Sequence, residues 1–408
     1  MASYRNLIFL CDAGQASPRV IGFAREISRL GIHTYLVTPA LNFKQKSNLG
    51  IQANESWTYL PIPNCNSLYK RDVGFRKFLF APSRLFTRFM DRRRNDLLRE
   101  SSEAAKMYKA VESVLRAKGL LERDSIIISS SGPFRFHILA SELMHVSEAR
   151  WIADYRDMWT LNHTSTSDPE LSQLNFECKT ISLASGITTV SNDLVIDARK
   201  FFDGPILELQ NGHPGFRTSQ KSDSTLCRIS YTGQVYNKFQ KLDLFLDAID
   251  EIGEHRLLGR IVFRFAGESV RDVRKYYKNK GIRVPGYILL VGVLGRAEAL
   301  TFQSESDFLL AFKWDDPRFE NIYSTKIYEY VSSGRPTLVF GTSENEASGK
   351  LVTSARAGVN LHTRDELQNF IFDRLKGTQY IHEPDISFIE SLSYRQLADR
   401  LNKFLLSL

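Results

Sequence analysis

A lysine and a glutamate stand three residues apart at the predicted start of a short helix, in the segment STKIYEYVSSG. The side chains of Lys326 and Glu329 therefore share one face of that helix. Free backbone N–H groups at a helix N-terminus favour an anion, and Lys326 adds a full positive charge there. The Glu329 carboxylate can accept hydrogen bonds from vicinal hydroxyls, such as those of a ribose. An ordinary surface ion pair between the two side chains explains the spacing equally well.

The neighbouring residues fit the two ends of this helix. We expect Ser324 to be its N-cap, with Thr325 in the first turn, and Gly334 to end it before the next strand. A predicted buried strand, DFLLAF, and the loop KWDDPRFENIY precede the helix. Ligands of open α/β sheets bind beyond the carboxyl ends of the strands, so an anion site is expected in this region.

A second set of polar residues ends the predicted strand RWIADYRD. Asp154, Arg156 and Asp157 would need partners in a buried loop. Two roles are open for them. They pair with one another and fix the loop, or Asp157 or Asp154 contacts a substrate hydroxyl as a general base. We expect structural roles for three histidines, His137, His145 and His213.

Two halves of the chain repeat one order of strands and helices. The predicted strands are NLIFLC, IHTYLVTP, SIIISSSGP, RWIADYRD and GITTVS in the first half, and CRISYTGQ, RIVFRFAG, YILLVG, DFLLAF and PTLVFG in the second. Continuous apolar runs are typical of parallel strands covered on both faces. We therefore predict two doubly wound α/β domains facing a cleft. Their bounds are 1–211 and 227–388, with a linker at 212–226 and a C-terminal helix at 389–408 that crosses back to the first domain.

Length and composition indicate a globular protein of two domains. The chain has 408 residues, of which 43% are hydrophobic and 25% charged. No apolar run reaches the roughly 20 residues that span a bilayer, and the first apolar run is too short for a signal peptide. The four cysteines lie far apart without a CxxC pair, which favours reduced thiols and no zinc site. We expect a cytoplasmic location.

Positive charge concentrates between Cys65 and Arg99, where ten basic and three acidic residues leave a net charge of +7. Aromatic residues alternate with the arginines, and the segment 70–99 predicts a basic amphipathic helix. Such a helix suits an anionic membrane surface, so we expect peripheral binding to the inner face of a membrane. An ordinary helix with core aromatics is the alternative. No nucleic-acid motif accompanies the charge, and no nucleic-acid partner is expected.

Five segments, in order along the chain, resemble those of GT-B glycosyltransferases, especially the retaining family 4. They are ADYRDMWT, ITTVSNDL, LQNGHPGF, YTGQVY and STKIYEYVSSGRPTLVFG. The resemblance extends over nearly the whole chain. It implies two Rossmann-like domains, a nucleotide-diphosphate sugar as co-substrate without a further cofactor, and a glycan or lipid-linked acceptor. It also implies retention of configuration and a role in surface polysaccharide synthesis.

The resemblance places the donor in the second domain. Lys326 matches a lysine that binds the diphosphate, and Glu329 matches a glutamate that binds the ribose. The family often has an acid eight residues before that glutamate, near the donor sugar. This chain has Asn321 at that position and Glu320 beside it, and either residue could contact the sugar.

The first loop of the second domain also departs from the family. Gln234 stands where an arginine is common, and Lys238 or Lys241 could replace its charge on the diphosphate. A solvated helix start is the alternative for both lysines. Gly233 lets the backbone approach a phosphate closely, or it serves the turn alone. Since no Asp-x-Asp pair lies near a nucleotide loop, we expect no essential metal.

The acceptor is expected on the first domain. The loop DAGQASPR, with Gly14 and Ser17, could admit a phosphate or the acceptor, and Arg19 could face the cleft. A simple turn is the alternative for this loop. Ser131 of the loop SSSGPF and Arg156 complete the predicted acceptor side.

Two other functions remain open. One is a sugar-nucleotide epimerase of the same fold. The other is a degenerate transferase that acts as a binding scaffold, which the departures at Gln234 and Asn321 leave possible.

Overall fold

The computed structural model describes residues 4–13, 18–42, 57–62, 92–162, 171–218, 226–236, 239–316, 319 and 321–408, and only the backbone of 92–96. The chain forms two compact units, Met1–Gln210 with Leu397–Leu408, and Asn211–Gln396. Residues 211–218, most of which the sequence places in a linker, thus belong to the second unit.

A seven-stranded parallel sheet forms the centre of the first unit, in the order β3-β2-β1-β4-β5-β6-β7. Its strands are β1 (Asn6–Leu10), β2 (His33–Pro39), β3 (Trp57–Ile62), β4 (Ser125–Ser130), β5 (Arg150–Tyr155), β6 (Gly186–Thr189) and β7 (Ile206–Glu208). Its helices are α1 (Arg19–Ser28), α2 (Arg92–Ala117), α3 (Arg135–Leu143), α4 (Leu171–Ile181) and α5 (Asn192–Ala198).

A six-stranded parallel sheet forms the centre of the second unit, in the order β10-β9-β8-β11-β12-β13. Its strands are β8 (Cys227–Thr232), β9 (Ile261–Ala266), β10 (Ile288–Gly292), β11 (Phe308–Phe312), β12 (Thr337–Phe340) and β13 (Gly358–Leu361). The helices that follow along the chain are α6 (Leu242–Ile252), α7 (Glu254–Leu257), α8 (Ser269–Asn279), α9 (Arg296–Ser304), α10 (Thr325–Val331), α11 (Ala347–Ser354), α12 (Arg364–Leu375), α13 (Ile386–Ser391) and α14 (Tyr394–Ser407). Helix α14 ends in the first unit.

The central strands form because their residues are apolar without interruption. Strands β4 and β11 are buried at every position, as expected for parallel strands covered on both faces. Helix α6 buries Leu242, Phe245, Leu246 and Ile249, which recur at helical spacing and join the core of the second unit. The predicted fold class, doubly wound α/β with parallel sheets, is confirmed.

The predicted basic membrane helix falls mainly outside the described residues. Residues 70–91 are not among them, and 92–99 begin the 26-residue helix α2. None of the helices in the described part of the chain combines the length and apolar composition of a bilayer-spanning segment.

Candidate functional site

The strand order of the second sheet reverses between β8 and β11, which is where open α/β sheets bind ligands. Gly233 directly follows β8, and Lys326 lies in the first turn of α10, the helix after β11. The two residues meet, since a Cβ atom on Gly233 would lie 3.1 Å from the Lys326 Nζ atom. The structure therefore brings together two residues that the sequence analysis assigns to the donor site.

The Lys326 amine is only partly exposed and lies 3.9 Å from the centroid of the Tyr231 ring. Within the described ranges it forms no ion pair with a carboxylate. Loss of hydration lowers the pKa of Lys326 to about 7, while the charge of Glu329 opposes this shift. A cation without a counter-ion at this position favours the binding of an anionic ligand.

Glycines stand at the carboxyl ends of three adjoining strands, β8, β9 and β10. Gly233 and Gly267 follow β8 and β9 with φ angles of +107° and +95°, a region that favours glycine. A Cβ atom on Gly267 would lie 2.9 Å from the Gly233 Cα atom, so the two turns pack backbone against backbone. Gly292 ends β10 on the same edge and has nothing within 4 Å of its Cβ position. The space beside Gly233 and Gly267 is thus filled by Lys326 and by main chain, and only Gly292 has open space at its Cβ position.

Glu329 is held by α9 and does not pair with Lys326. Its Oε2 atom forms an ion pair with Arg296, and its Oε1 atom accepts a hydrogen bond from Gln303 Nε2 at 2.5 Å. Burial lowers the pKa of the nearby Arg217, whereas the charge of Glu329 raises it and that of Arg296 lowers it further. The alternative of a Lys326–Glu329 surface ion pair is therefore wrong.

The remaining donor-site predictions meet different outcomes. The Ser324 hydroxyl caps α10, as predicted, by accepting a hydrogen bond from the Lys326 N–H at 3.3 Å. That N–H group is occupied and α10 has only seven residues. The Lys326 amine, and not the N-terminus of α10, is therefore the group expected to attract an anion. Thr325 and Asn321 are exposed nearby. Lys241 Nζ lies 3.3 Å from Asp315 Oδ2 at the start of α6.

Four predicted site residues lie outside the described residues: Lys238 and Glu320 on the donor side, and Gly14 and Ser17 on the acceptor side. Their roles stay predictions.

Asp154 is a buried structural carboxylate in the first unit. Arg19, equally buried, pairs with it through Nη2 at 2.9 Å, and Ser130 and Thr188 donate hydrogen bonds at 2.8 and 2.7 Å. Burial alone would raise the pKa of Asp154, but the charge and hydrogen bonds of these partners hold it below its usual value. Asp154 thus pairs with Arg19, from α1, and not with Arg156 or Asp157, so the pairing expected within this segment is wrong for Asp154.

Arg156 folds onto the end of β4. Its Nη2 atom donates to the carbonyl oxygens of Ser131 at 2.6 Å and Gly132 at 3.0 Å. The Ser131 hydroxyl donates to the main-chain oxygen of Asp157 at 3.2 Å, which ties the two loops together. The Asp157 side chain is exposed. Asp157 is therefore the carboxylate of this segment that a substrate can reach.

The buried histidines have structural contacts. His137 Nδ1 lies 2.6 Å from the Ser129 hydroxyl, and burial lowers the pKa of His137 to about 3. His213 Nε2 lies 2.8 Å from the carbonyl oxygen of Ile389, and burial also lowers its pKa. His145 is exposed.

Sequence reasoning missed Arg296, Gln303, Gly267 and Arg217. Arg296 begins a helix after a strand, the same unfavourable position for a cation that singles out Lys326, so a signal for it exists. Gln303 is the second-last residue of α9 and carries no such signal, and Arg217 falls within the predicted linker. In the described part of the chain, no three His, Cys, Asp or Glu side chains converge as a metal site requires.

No family model matches this chain, and no curated protein sequence matches it. Solved structures do match its fold. Sucrose-phosphate synthase from Thermosynechococcus elongatus matches with a TM-score of 0.67 at 9% identity, over 99% of this chain and 98% of that chain. HepE from Anabaena in complex with UDP matches with a TM-score of 0.63 at 12% identity, over 99% of this chain and 100% of that chain.

A Listeria monocytogenes protein described as a UDP-N-acetylglucosamine 2-epimerase also matches, with a TM-score of 0.52 at 11% identity, over 98% of this chain and 95% of that chain. At these identities the likeness establishes the fold alone. The predicted GT-B class, with two Rossmann-like parallel-sheet units, is confirmed. Membership of family 4 stays a prediction.

Proposed function

We propose that this chain is a glycosyltransferase that uses a nucleotide-diphosphate sugar as donor. The observation that carries the proposal is the Lys326 amine, which lies against the Gly233 backbone at the switch point of the second sheet. A diphosphate supplies the anionic oxygens that this amine lacks among its described neighbours. HepE, which shares the fold, was solved in complex with UDP, and this supports a nucleoside diphosphate as the ligand class.

Departure of the nucleoside diphosphate is the step that this site assists. As the bond between the anomeric carbon and the diphosphate oxygen breaks, negative charge grows on that oxygen, and Lys326 stabilises it. The sugar passes through an oxocarbenium-like transition state. Glu329 accepts hydrogen bonds from the ribose hydroxyls. The acceptor oxygen attacks on the face that the diphosphate leaves, and its proton passes to the diphosphate, so the anomeric configuration is retained.

The first unit binds the acceptor in this proposal. Asp157, exposed after β5, contacts the acceptor hydroxyl, whereas Asp154 only fixes the base of the loop through Arg19. The acceptor is a glycan or a lipid-linked glycan of a surface polysaccharide. The reaction needs no metal, and the enzyme works at the cytoplasmic face of a membrane, which segment 70–99 contacts.

The test is a thermal-shift screen of the full chain with UDP, GDP, ADP and dTDP, followed by their sugar conjugates. We expect one nucleotide to raise the melting temperature of the wild type, and the shift to disappear in Lys326→Ala. Mass spectrometry of a reaction with the matching nucleotide sugar and a glycan acceptor then identifies the product. A wild-type chain that binds none of these nucleotides would be a scaffold, and the proposal would fail.

An epimerase is the second candidate, because a protein described as a UDP-N-acetylglucosamine 2-epimerase shares the fold. Product analysis without an acceptor separates the two activities. An epimerase converts its nucleotide sugar when no acceptor is present, whereas a transferase leaves most of the donor intact until an acceptor is added.

A further inference from the structure

Both oxygens of the Glu329 carboxylate are fixed by helix α9. Arg296 pairs with Oε2, and Gln303 donates to Oε1 at 2.5 Å. Gln303 is itself buried, and its Nε2 atom also lies 3.3 Å from the Thr232 hydroxyl at the end of β8. The carboxylate is therefore oriented from two directions, by one charged and one neutral donor.

The fixed carboxylate keeps capacity for a ligand. An ionised carboxylate has about four lone-pair sites, and the two contacts with α9 occupy one on each oxygen. One site on each oxygen remains, and the Glu329 side chain is 15% exposed. Two hydroxyls on adjacent carbons present two donors at a spacing that suits the two oxygens of one carboxylate.

The same contacts keep Glu329 separate from Lys326. The two residues share one face of α10 and lie one turn apart, which would ordinarily let them pair. In the structure the Glu329 carboxylate turns to α9, and Lys326 remains over Tyr231. Because Arg296 holds Glu329 away from Lys326, the Glu329 carboxylate stays available to a neutral diol and the Lys326 amine stays available to an anion. Without Arg296, Glu329 would turn to Lys326 and cancel the charge that a diphosphate needs.

We propose that Arg296 and Gln303 are positioning residues that make this site select a ribonucleoside diphosphate over its 2′-deoxy counterpart. This inference rests on the proposed function, since it assumes that a nucleoside diphosphate binds at Lys326. It keeps the contact between Glu329 and the ribose and adds that helix α9, through Arg296 and Gln303, sets the preference for the diol.

The experiment measures the affinities of UDP, 2′-deoxy-UDP, GDP, 2′-deoxy-GDP and dTDP for the full chain by calorimetry. A hydrogen bond to a charged group changes affinity by about 10- to 100-fold, so we expect the ribonucleotide to bind tighter by at least about tenfold. In Arg296→Ala that preference should fall below about threefold, while Arg296→Lys should restore part of it. Gln303→Met should weaken the preference without removing the charge of Arg296.

Arg364→Ala is the matched control. Arg364 also forms an ion pair with a glutamate in the second unit, and its side chain is 38% exposed against 40% for Arg296. The control should keep the full ribose preference. A merely structural role for Arg296 would lower the melting temperature but leave the ratio of the two affinities unchanged.

Three results overturn the inference, and they differ from one another. If Arg296→Ala keeps the wild-type ratio, α9 does not set the specificity. If dTDP and UDP bind the wild type equally, the site does not recognise the ribose diol, although the proposal that it binds a diphosphate still stands. If no nucleoside diphosphate binds the wild type, the proposed function itself fails and this inference fails with it.

Discussion

Replacing Lys326 by methionine should stabilise the unliganded protein, because the amine is held in a poorly hydrated place without a carboxylate partner among the described residues. The pKa of Lys326 falls from 10.5 to about 7. A difference of that size corresponds to about 5 kcal/mol, since one pKa unit is about 1.4 kcal/mol. The side chain keeps partial contact with solvent, which reduces the measurable effect to about 2–3 kcal/mol. Methionine retains most of the aliphatic stem and fills similar space.

The sign of the pH dependence follows from proton binding. The pKa of Lys326 is lower in the folded chain than in the unfolded chain, so between pH 7 and 10.5 the unfolded chain binds more protons. The free energy of unfolding of the wild type therefore rises with pH in this window. The advantage of Lys326→Met should be largest below pH 7 and should shrink by about 1–2 kcal/mol between pH 7 and pH 9.

Urea unfolding of the full chain at pH 6, 7, 8 and 9, followed by circular dichroism, measures this difference. Lys200→Met controls for the loss of one positive charge, since Lys200 is 57% exposed, pairs with Asp197 and lies outside the candidate site. A saturating nucleoside diphosphate at 100 times its Kd should stabilise the wild type by about 2.7 kcal/mol and leave Lys326→Met unchanged. A variant that is less stable than the wild type at every pH would refute the reasoning, because it would mean that the amine is well satisfied.

Four further results are expected. A bound diphosphate raises the pKa of Lys326, so binding should take up a proton, and affinity should fall by up to about tenfold per pH unit above pH 7. Calorimetry in buffers of different ionisation enthalpy measures both effects. An affinity independent of pH would contradict this. Gly233→Ala should weaken nucleotide binding because its Cβ would lie 3.1 Å from the Lys326 amine, whereas Gly259→Ala, also at a positive φ but with open space around it, should lower stability alone. Asp154→Asn should lower the free energy of unfolding by about 3–5 kcal/mol, measured by thermal unfolding, because Arg19 loses its buried counter-charge. Asp157→Asn should change stability by no more than about 0.5 kcal/mol but should slow transfer. A stable but inactive Asp154→Asn variant would instead make Asp154 catalytic. Changing Arg92, Arg93 and Arg94 to Glu should reduce flotation with anionic liposomes, and unchanged flotation would remove the membrane proposal.

The sequence predicts the central strands because each combines a continuous apolar run with a small-residue turn. It does not predict three of the four edge strands, β3, β7 and β13, although it does predict the fourth, β10. Edge strands are covered on fewer sides and so carry weaker apolar patterns, as the partly exposed residues of β7 and β13 illustrate.

The residues of the candidate site also include some that the sequence predicts and some that it does not. Lys326 can be predicted because a cation at a helix start breaks a local rule. Gly233 carries a weaker signal, because a glycine directly after a strand also serves a turn. Their contact follows from the parallel topology, which places the ends of β8 and β11 side by side. The partners of Asp154 and Glu329 could not be predicted, because Arg19 lies 135 residues from Asp154 and Arg296 comes from another helix. Such pairings depend on how helices pack on the sheet, which local patterns do not contain.

The central claim is that Lys326 binds the diphosphate of a nucleotide, and calorimetry with nucleoside diphosphates and monophosphates tests it most directly. The wild type should bind one diphosphate at least about tenfold tighter than its monophosphate, and Lys326→Ala should lose that difference. Lys200→Ala, which removes a positive charge outside the candidate site, should keep that difference. Equal binding of the diphosphate by the wild type and Lys326→Ala would contradict the claim.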